Sequence, residues 1–291
     1  MGIITEGLPL NEPENHGVVQ DLLWVWNAPP LMAFEANWLP QNELGRLNLA
    51  ALTPDQLARL RLARQGKLGA YFEALVCALV ECSDHYRVLA RGVIIQGSER
   101  TLGELDVLIQ HQQSGETVHL ELALKFYLAV PDTASATWIG PGLRDFLRLK
   151  YHHLRDQQLT LPDRARQASV WPGQLPFPDR SMPWVTGRLY YPWQMQPTGE
   201  DPLLEPGHRY SHWLTLSDFQ SLDFNSQWLK KAHWLSGPAK STLDKPTHGL
   251  PAQCFGSPRN GQEQDKAGHH WFIVPDDWPE RARISILQRF G

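Results

Sequence analysis

Two acids and a lysine fall at alternate positions along what reads as one β-hairpin. Residues 102–111 give Leu-Gly-Glu-Leu-Asp-Val-Leu-Ile-Gln-His and residues 118–126 give Val-His-Leu-Glu-Leu-Ala-Leu-Lys-Phe, with the turn pair Ser114-Gly115 between them. Alternate residues of a strand share a face, so Glu121, Ala123 and Lys125 point together, as do Glu104 and Asp106. Glu121 and Lys125 are roughly 13 Å apart along an extended strand, and the small Ala123 leaves room for both long side chains to lean inward. Asp106 reaches the same space if the turn sets the matching antiparallel register. Carboxylates that converge beside an amine suit a divalent cation, Mg²⁺ or Mn²⁺, together with a positive charge for phosphate: the equipment for cutting a phosphodiester. The alternative for Asp106 is a plain carboxylate at a strand end.

The chain has to supply the scaffold. Its 291 residues with 42% hydrophobic content suffice for a large core and one or two domains. A net charge of −4 gives no global attraction to nucleic acid, so a polyanion would have to meet a local basic surface. Three scattered cysteines, Cys77, Cys82 and Cys254, exclude a disulfide framework and a Cys-x-x-Cys zinc site. The beginning of the sequence has no secretory pattern and no stretch is apolar enough to span a bilayer, so the expectation is a cytoplasmic protein without a membrane partner.

Residues 1–60 are acidic and should form a helical extension. The nearly apolar run Leu68–Val80 reads as a buried helix, followed by strands at Tyr86–Gln96, Glu104–His111 and Thr117–Leu128. Residues 131–142 read as a loop. A second helix is expected from about Pro141 to Leu159, then an irregular connection over 161–183, where five prolines fall, and a strand at Val185–Tyr191. Short strands at 213–216 and 271–274, a partly helical 217–234, a polar loop over 236–268 and a terminal helix after Asp277 complete the reading. The expected fold is α/β, a mixed sheet flanked by helices, with segments 1–60, 61–192 and 193–291 as extension, core and α+β addition.

Glu73 is the sole charged residue between Leu68 and Val80. A buried carboxylate needs a partner: a metal or its water on one reading, a salt bridge to Arg91 or Lys125 on the other. Residues 144–166 carry six basic side chains against three acids. Lys150, Gln157 and Gln158, with Arg144 and His153, are candidates to contact a nucleic-acid backbone; the alternative is a solvated helix face. The 12 tryptophans read as core or interface aromatics, and the histidines lack metal-binding spacing.

Gly103-Glu104-Leu105-Asp106, followed after a turn by an acid and a lysine and preceded by a helix bearing Glu73, resembles the PD-(D/E)XK nuclease superfamily. The element order helix, three strands, helix, strand is similar to its restriction-endonuclease-like core. More closely, Thr101 to Asp106, Glu121 to Leu128, Gly140-Pro141, Lys150 and Gln157-Gln158 resemble the bacterial domain of unknown function family 1853. The superfamily resemblance implies a metal-dependent nuclease acting on DNA or RNA, with Asp106 as metal ligand, Lys125 as the lysine of the acid-x-lysine element and Glu73 as the first-helix glutamate. One position departs: Ala123 stands where the acid belongs. Either Glu121, one pleat away on the same face, has taken over as ligand, or the fold no longer cuts and serves as a nucleic-acid or protein binding module.

Overall fold

The structure is a computed structural model and describes residues 3–4, 13–131, 136–193, 195, 201–237, 245–246, 249–258 and 269–291. Its elements in chain order are β1 (Ile3–Ile4), α1 (Pro13–Trp26), α2 (Pro40–Glu43), β2 (Leu47–Asn48), α3 (Pro54–Arg64), α4 (Leu68–Glu81), β3 (Tyr86–Gln96), β4 (Thr101–His111) and β5 (Thr117–Pro131). Then come β6 (Ala136–Ile139), α5 (Leu147–His153), a π-helical turn (Leu154–Gln158), α6 (Leu161–Gln167) and β7 (Arg180–Pro192). The chain closes with β8 (Tyr210–Thr215), α7 (Leu216–Ser221), β9 (Phe224–Trp228), β10 (Ala252–Pro258), β11 (His269–Val274) and α8 (Trp278–Phe290). The described chain is thus mixed α/β, with a nine-stranded mixed sheet in the order β3-β4-β5-β7-β8-β11-β10-β9, β6 on β5, and flanking helices.

Two compact units are present, one of residues 1–124 and 151–186, the other of 125–150 and 187–291. Their limits fall within β5, α5 and β7, whereas the sequence suggests three consecutive segments. Alternation of hydrophobicity marks strands but carries no sign of where one strand passes between units.

In the first unit α4 forms where the sequence has no proline and a continuous apolar face; Tyr71, Phe72, Leu75, Val76, Leu79 and Val80 are all buried. Each such side chain contributes roughly 2 kcal/mol of burial. Helix α3 begins with a capping box in which Thr53 and Gln56 satisfy each other's backbone N–H groups, and Pro54 occupies the first turn, where no N–H is needed. The fully buried Asp21 of α1 accepts from Arg64 Nε at 2.8 Å and from the Tyr71 hydroxyl at 2.9 Å, which ties α1, α3 and α4 together. On β4 the odd positions face α6: Leu105 packs with Ile95, Leu161 and Ala165. A Cβ on Gly103 would stand 2.9 Å from the end of Leu161, so the glycine admits α6 to the sheet.

Three readings are corrected here. The second helix starts at Leu147, because Gly140 to Asp145 closes a turn, with Gly140 N–H donating to Asp145 O at 2.7 Å and Leu143 at φ +62°. The stretch 161–183 is not wholly irregular: Pro162 sits in the first turn of α6, where proline is tolerated, and β7 begins at Arg180 and runs through Pro183. Of the loop read over 131–142, residues 136–139 form β6 on the end of β5.

In the second unit, Leu128, Val130, Ile139, Tyr190, Trp213, Phe272, Val274 and Trp278 pack into one core. Three buried tryptophans of this unit have satisfied indoles: Trp213 donates to Ala129 O, Trp271 to Gly256 O and Trp278 to Pro141 O, each at 2.9 Å. Two strands, β9 and β10, lie in segments read as partly helical and as polar loop. Of that loop, residues 238–244, 247–248 and 259–268 lie outside the described residues. Helix α8 follows Asp277 as expected, although Asp277 pairs with Arg281 at 3.6 Å instead of capping by its side chain.

Candidate functional site

The even positions of β4 are on the face opposite α6. Glu104 and Asp106 stand there, and Glu73 of α4 lies within electrostatic reach of both. Burial is the largest cause that raises the Glu73 carboxyl above its usual range, followed by the charge of Asp106 and then that of Glu104. Glu73 is exposed, not buried as its apolar sequence neighbours suggest: Tyr71, Phe72 and Leu75 carry the core face and Glu73 projects from the other.

The register asked of the hairpin is present. Leu108 pairs with His119 and Val107 with Leu120, which makes Asp106 and Glu121 the next opposed residues, sharing one face. The β4–β5 pairing ends at that step, and the Asp106 carboxylate takes over as acceptor: Leu122 N–H donates to its Oδ2 at 2.7 Å. Asp106 is half-buried and Glu121 fully buried. His119 Nε2 stands 3.9 Å from Glu121 Oε2. Burial pushes the His119 ring down to about 4, so it is neutral at neutral pH and this contact is not an ion pair; its Nδ1 lies 3.2 Å from Ser181 Oγ.

Ala123, at the position of the expected acid, is buried. Lys125, further along β5 and in the second unit, donates to Asp145 Oδ2 at 2.7 Å, and the Tyr127 hydroxyl donates to Asp145 Oδ1 at 3.1 Å. The sequence reading did not give Lys125 this partner. Glu104 was legible as sharing the Asp106 face but was not assigned a role; its spacing of two from Asp106 was the available signal.

The donors Glu73, Asp106 and Glu121, with Glu104, are all carboxylate oxygens, right in kind for Mg²⁺ or Mn²⁺. Among the described residues, no group of three or more His, Cys, Asp or Glu side chains is already arranged to hold a metal ion. The residues fit the ion in donor type and would have to close on it.

Of the residues read as contacting nucleic acid, Arg144, His153 and Gln157 are exposed and Lys150 and Gln158 half-buried. Gln157 and Gln158 fall in the π-helical turn, where Leu159 N–H donates to Leu154 O at 2.9 Å and Arg164 donates to Gln157 O at 3.0 Å. Such turns recur at functional positions. Part of the basic excess is neutralised locally, Arg155 by Asp156 at 2.6 Å and Arg166 by Asp163 at 2.8 Å. No helix among the described residues is long and apolar enough to cross a membrane.

The family model described as Domain of unknown function (DUF1853) matches residues 20–265, most of the chain, and the chain belongs to this family. Neither the curated proteins nor the solved structures gave a match.

Proposed function

We propose that the protein is a divalent-metal-dependent phosphodiesterase of restriction-endonuclease-like ancestry acting on DNA or RNA. What supports this reading is the placement of Asp106, whose carboxylate accepts the Leu122 N–H where the β4–β5 pairing ends, beside Glu121 on β5 and within electrostatic reach of Glu73. Like charges held together cost stability, and a site for a cation is a common reason for the arrangement. The element order α4, β3, β4, β5, then α5 and β7, with β6 and α6 added between β5 and β7, is in keeping with that ancestry.

In this reading Asp106, pinned by Leu122 N–H, and Glu121 hold the ion, and Glu73 closes on it from α4. An ion bound there supplies Lewis-acid chemistry, activating water and offsetting phosphate charge. Ala123 leaves space on the same face for the scissile group. His153, Gln157 and Gln158, in the same unit as the carboxylates, would contact the backbone of the nucleic acid.

The test is Mn²⁺- or Mg²⁺-dependent cleavage of labelled single-stranded, double-stranded and branched DNA and RNA by the wild type and Asp106→Ala. Activity lost in the variant supports the reading; equal activity in both assigns it to a contaminant.

The Lys125–Asp145 pair favours a second reading. A lysine engaged with a carboxylate at 2.7 Å is withdrawn from phosphate, and with Ala123 at the acid position the protein would bind nucleic acid or protein without cutting. Salt-dependent nucleic-acid binding with no calorimetric response to Mn²⁺ decides for this alternative.

A further inference from the structure

His119 lies two residues before Glu121 on β5, so both side chains are on one face of the strand. Its opposite number on β4 is Leu108, two residues after Asp106, which puts the imidazole on the Asp106 face as well. A spacing of two on a strand brings a pair of donors together as a spacing of four does on a helix.

Both side chains are sealed from solvent, His119 at 0% and Glu121 at 1% exposure. Nδ1 of the ring lies 3.2 Å from Ser181 Oγ. Nε2 has no hydrogen-bond partner among the described residues and faces Glu121 Oε2 at 3.9 Å. A buried ring nitrogen in this position is costly and calls for an explanation. Were Nε2 protonated, its N–H would close on the carboxylate to about 2.7–2.9 Å in a charge-assisted hydrogen bond. The wider gap fits the other tautomer, in which Nδ1–H donates to Ser181 Oγ and the Nε2 lone pair is turned toward Glu121. Two electron-rich groups facing each other in a dry place repel, and a cation between them reverses the sign.

We propose that His119 is a nitrogen ligand of the ion held by Asp106 and Glu121, and that it makes the centre select first-row transition ions over Mg²⁺. The proposal rests on the metal-site reading given above and deepens it. Magnesium takes carboxylate, carbonyl and water oxygens, whereas an imidazole suits transition ions. Ligating imidazoles donate their other N–H to a nearby oxygen, and Ser181 Oγ stands in that place. Neighbouring ligands of one ion, with bonds of about 2.0–2.2 Å, are about 3.0–3.5 Å apart, so Nε2 and Oε2 have less than about 1 Å to close. Asp106, half-buried and opposite Glu121, supplies a third donor. Glu73, exposed on α4 and within electrostatic reach of Asp106, supplies a fourth.

Calorimetric titration of the full chain with Mn²⁺, Co²⁺ and Mg²⁺ tests it. The wild type should bind Mn²⁺ and Co²⁺ at least ~10-fold more tightly than Mg²⁺. His119→Gln, checked for folding by circular dichroism, should lose at least ~10-fold in affinity for Mn²⁺ and Co²⁺ and less than ~3-fold for Mg²⁺. Electron spin-echo spectra of the Mn²⁺-loaded wild type should carry the modulation of a coordinated ¹⁴N that the variant lacks. Long-range ¹H–¹⁵N spectra of the metal-free wild type need neither variant nor ion, and should show His119 protonated on Nδ1 and bare on Nε2. A protonated Nε2, a wild type without ¹⁴N modulation, or an unchanged ion preference in His119→Gln each overturns the role of His119 while the metal-site reading stands. No binding of any of the three ions at millimolar concentration overturns both.

Discussion

Asp106 completes the hydrogen bonding of a strand it does not belong to: its Oδ2 accepts the Leu122 N–H at 2.7 Å, just past the last β4–β5 pair, Val107 with Leu120. The side chain thereby keeps a fixed place near Glu73, whose carboxyl is raised by burial first and by Asp106 next. Asp106→Asn retains an acceptor for Leu122 but removes the charge, so Glu73 should titrate lower in the variant. Glu104→Gln should lower it less, since Glu104 is the weaker influence. Carboxyl-carbon NMR titration of metal-free protein reads both shifts. An unchanged Glu73 in Asp106→Asn would separate the two acids and remove the basis of the metal site.

The Lys125–Asp145 bridge is a half-exposed ion pair reinforced by Tyr127. Exposed or partly exposed pairs of this kind couple by about 0.5–1 kcal/mol. A double-mutant cycle with Lys125→Met and Asp145→Asn, read by urea denaturation, should give a coupling in that range. A coupling of zero in low salt would mean that the amine is available to a ligand and would strengthen the catalytic assignment of Lys125.

Gly187 of β7 tolerates no side chain. Its φ is +151°, and a Cβ would fall 1.7 Å from Lys125 O, a backbone atom of the neighbouring strand that cannot swing aside. Gly187→Ala should cost at least ~3 kcal/mol or abolish soluble expression. Gly173 is the control: nothing lies within 4 Å of a Cβ there, so Gly173→Ala should stay within about 0.5 kcal/mol of wild type. Similar denaturation midpoints for the two variants would contradict the close approach of β5 and β7.

What the sequence made legible was what depends on local pattern. Tyr86–Gln96, Leu68–Val80 and the strand through Val185 follow from apolar spacing, and the Asp106–Glu121 register follows from a turn at Ser114-Gly115. The exposure of Glu73 was not legible, because an almost wholly apolar run gives no indication of which stripe faces the core. Prolines misled at 161–183: Pro162 opens α6 instead of ending order. The partner of Lys125 was hidden because Asp145 lies in a turn where apolar spacing suggests a helix.

His119 gives the fold a definite response to acid. Burial holds its ring down to about 4, whereas in the unfolded chain it titrates near the ordinary histidine value of about 6.5. Between those values the unfolded state binds a proton that the native state refuses, so the His119 contribution is complete above pH 6.5 and is lost as pH falls toward 4. By linkage, about 2 kcal/mol of stability should disappear between about pH 7 and pH 5 through this residue. Other groups titrate in the same window, and His270 is shifted in the same direction. The comparison that isolates His119 is urea denaturation of wild type and His119→Gln at both pH values, with chelator present so that no cation occupies Glu121. The variant should lose less stability on acidification than the wild type. Parallel losses would mean that the ring is accessible to protons in the native state, and with it the neighbouring Glu121, which would move that carboxylate from a buried position to a solvated one.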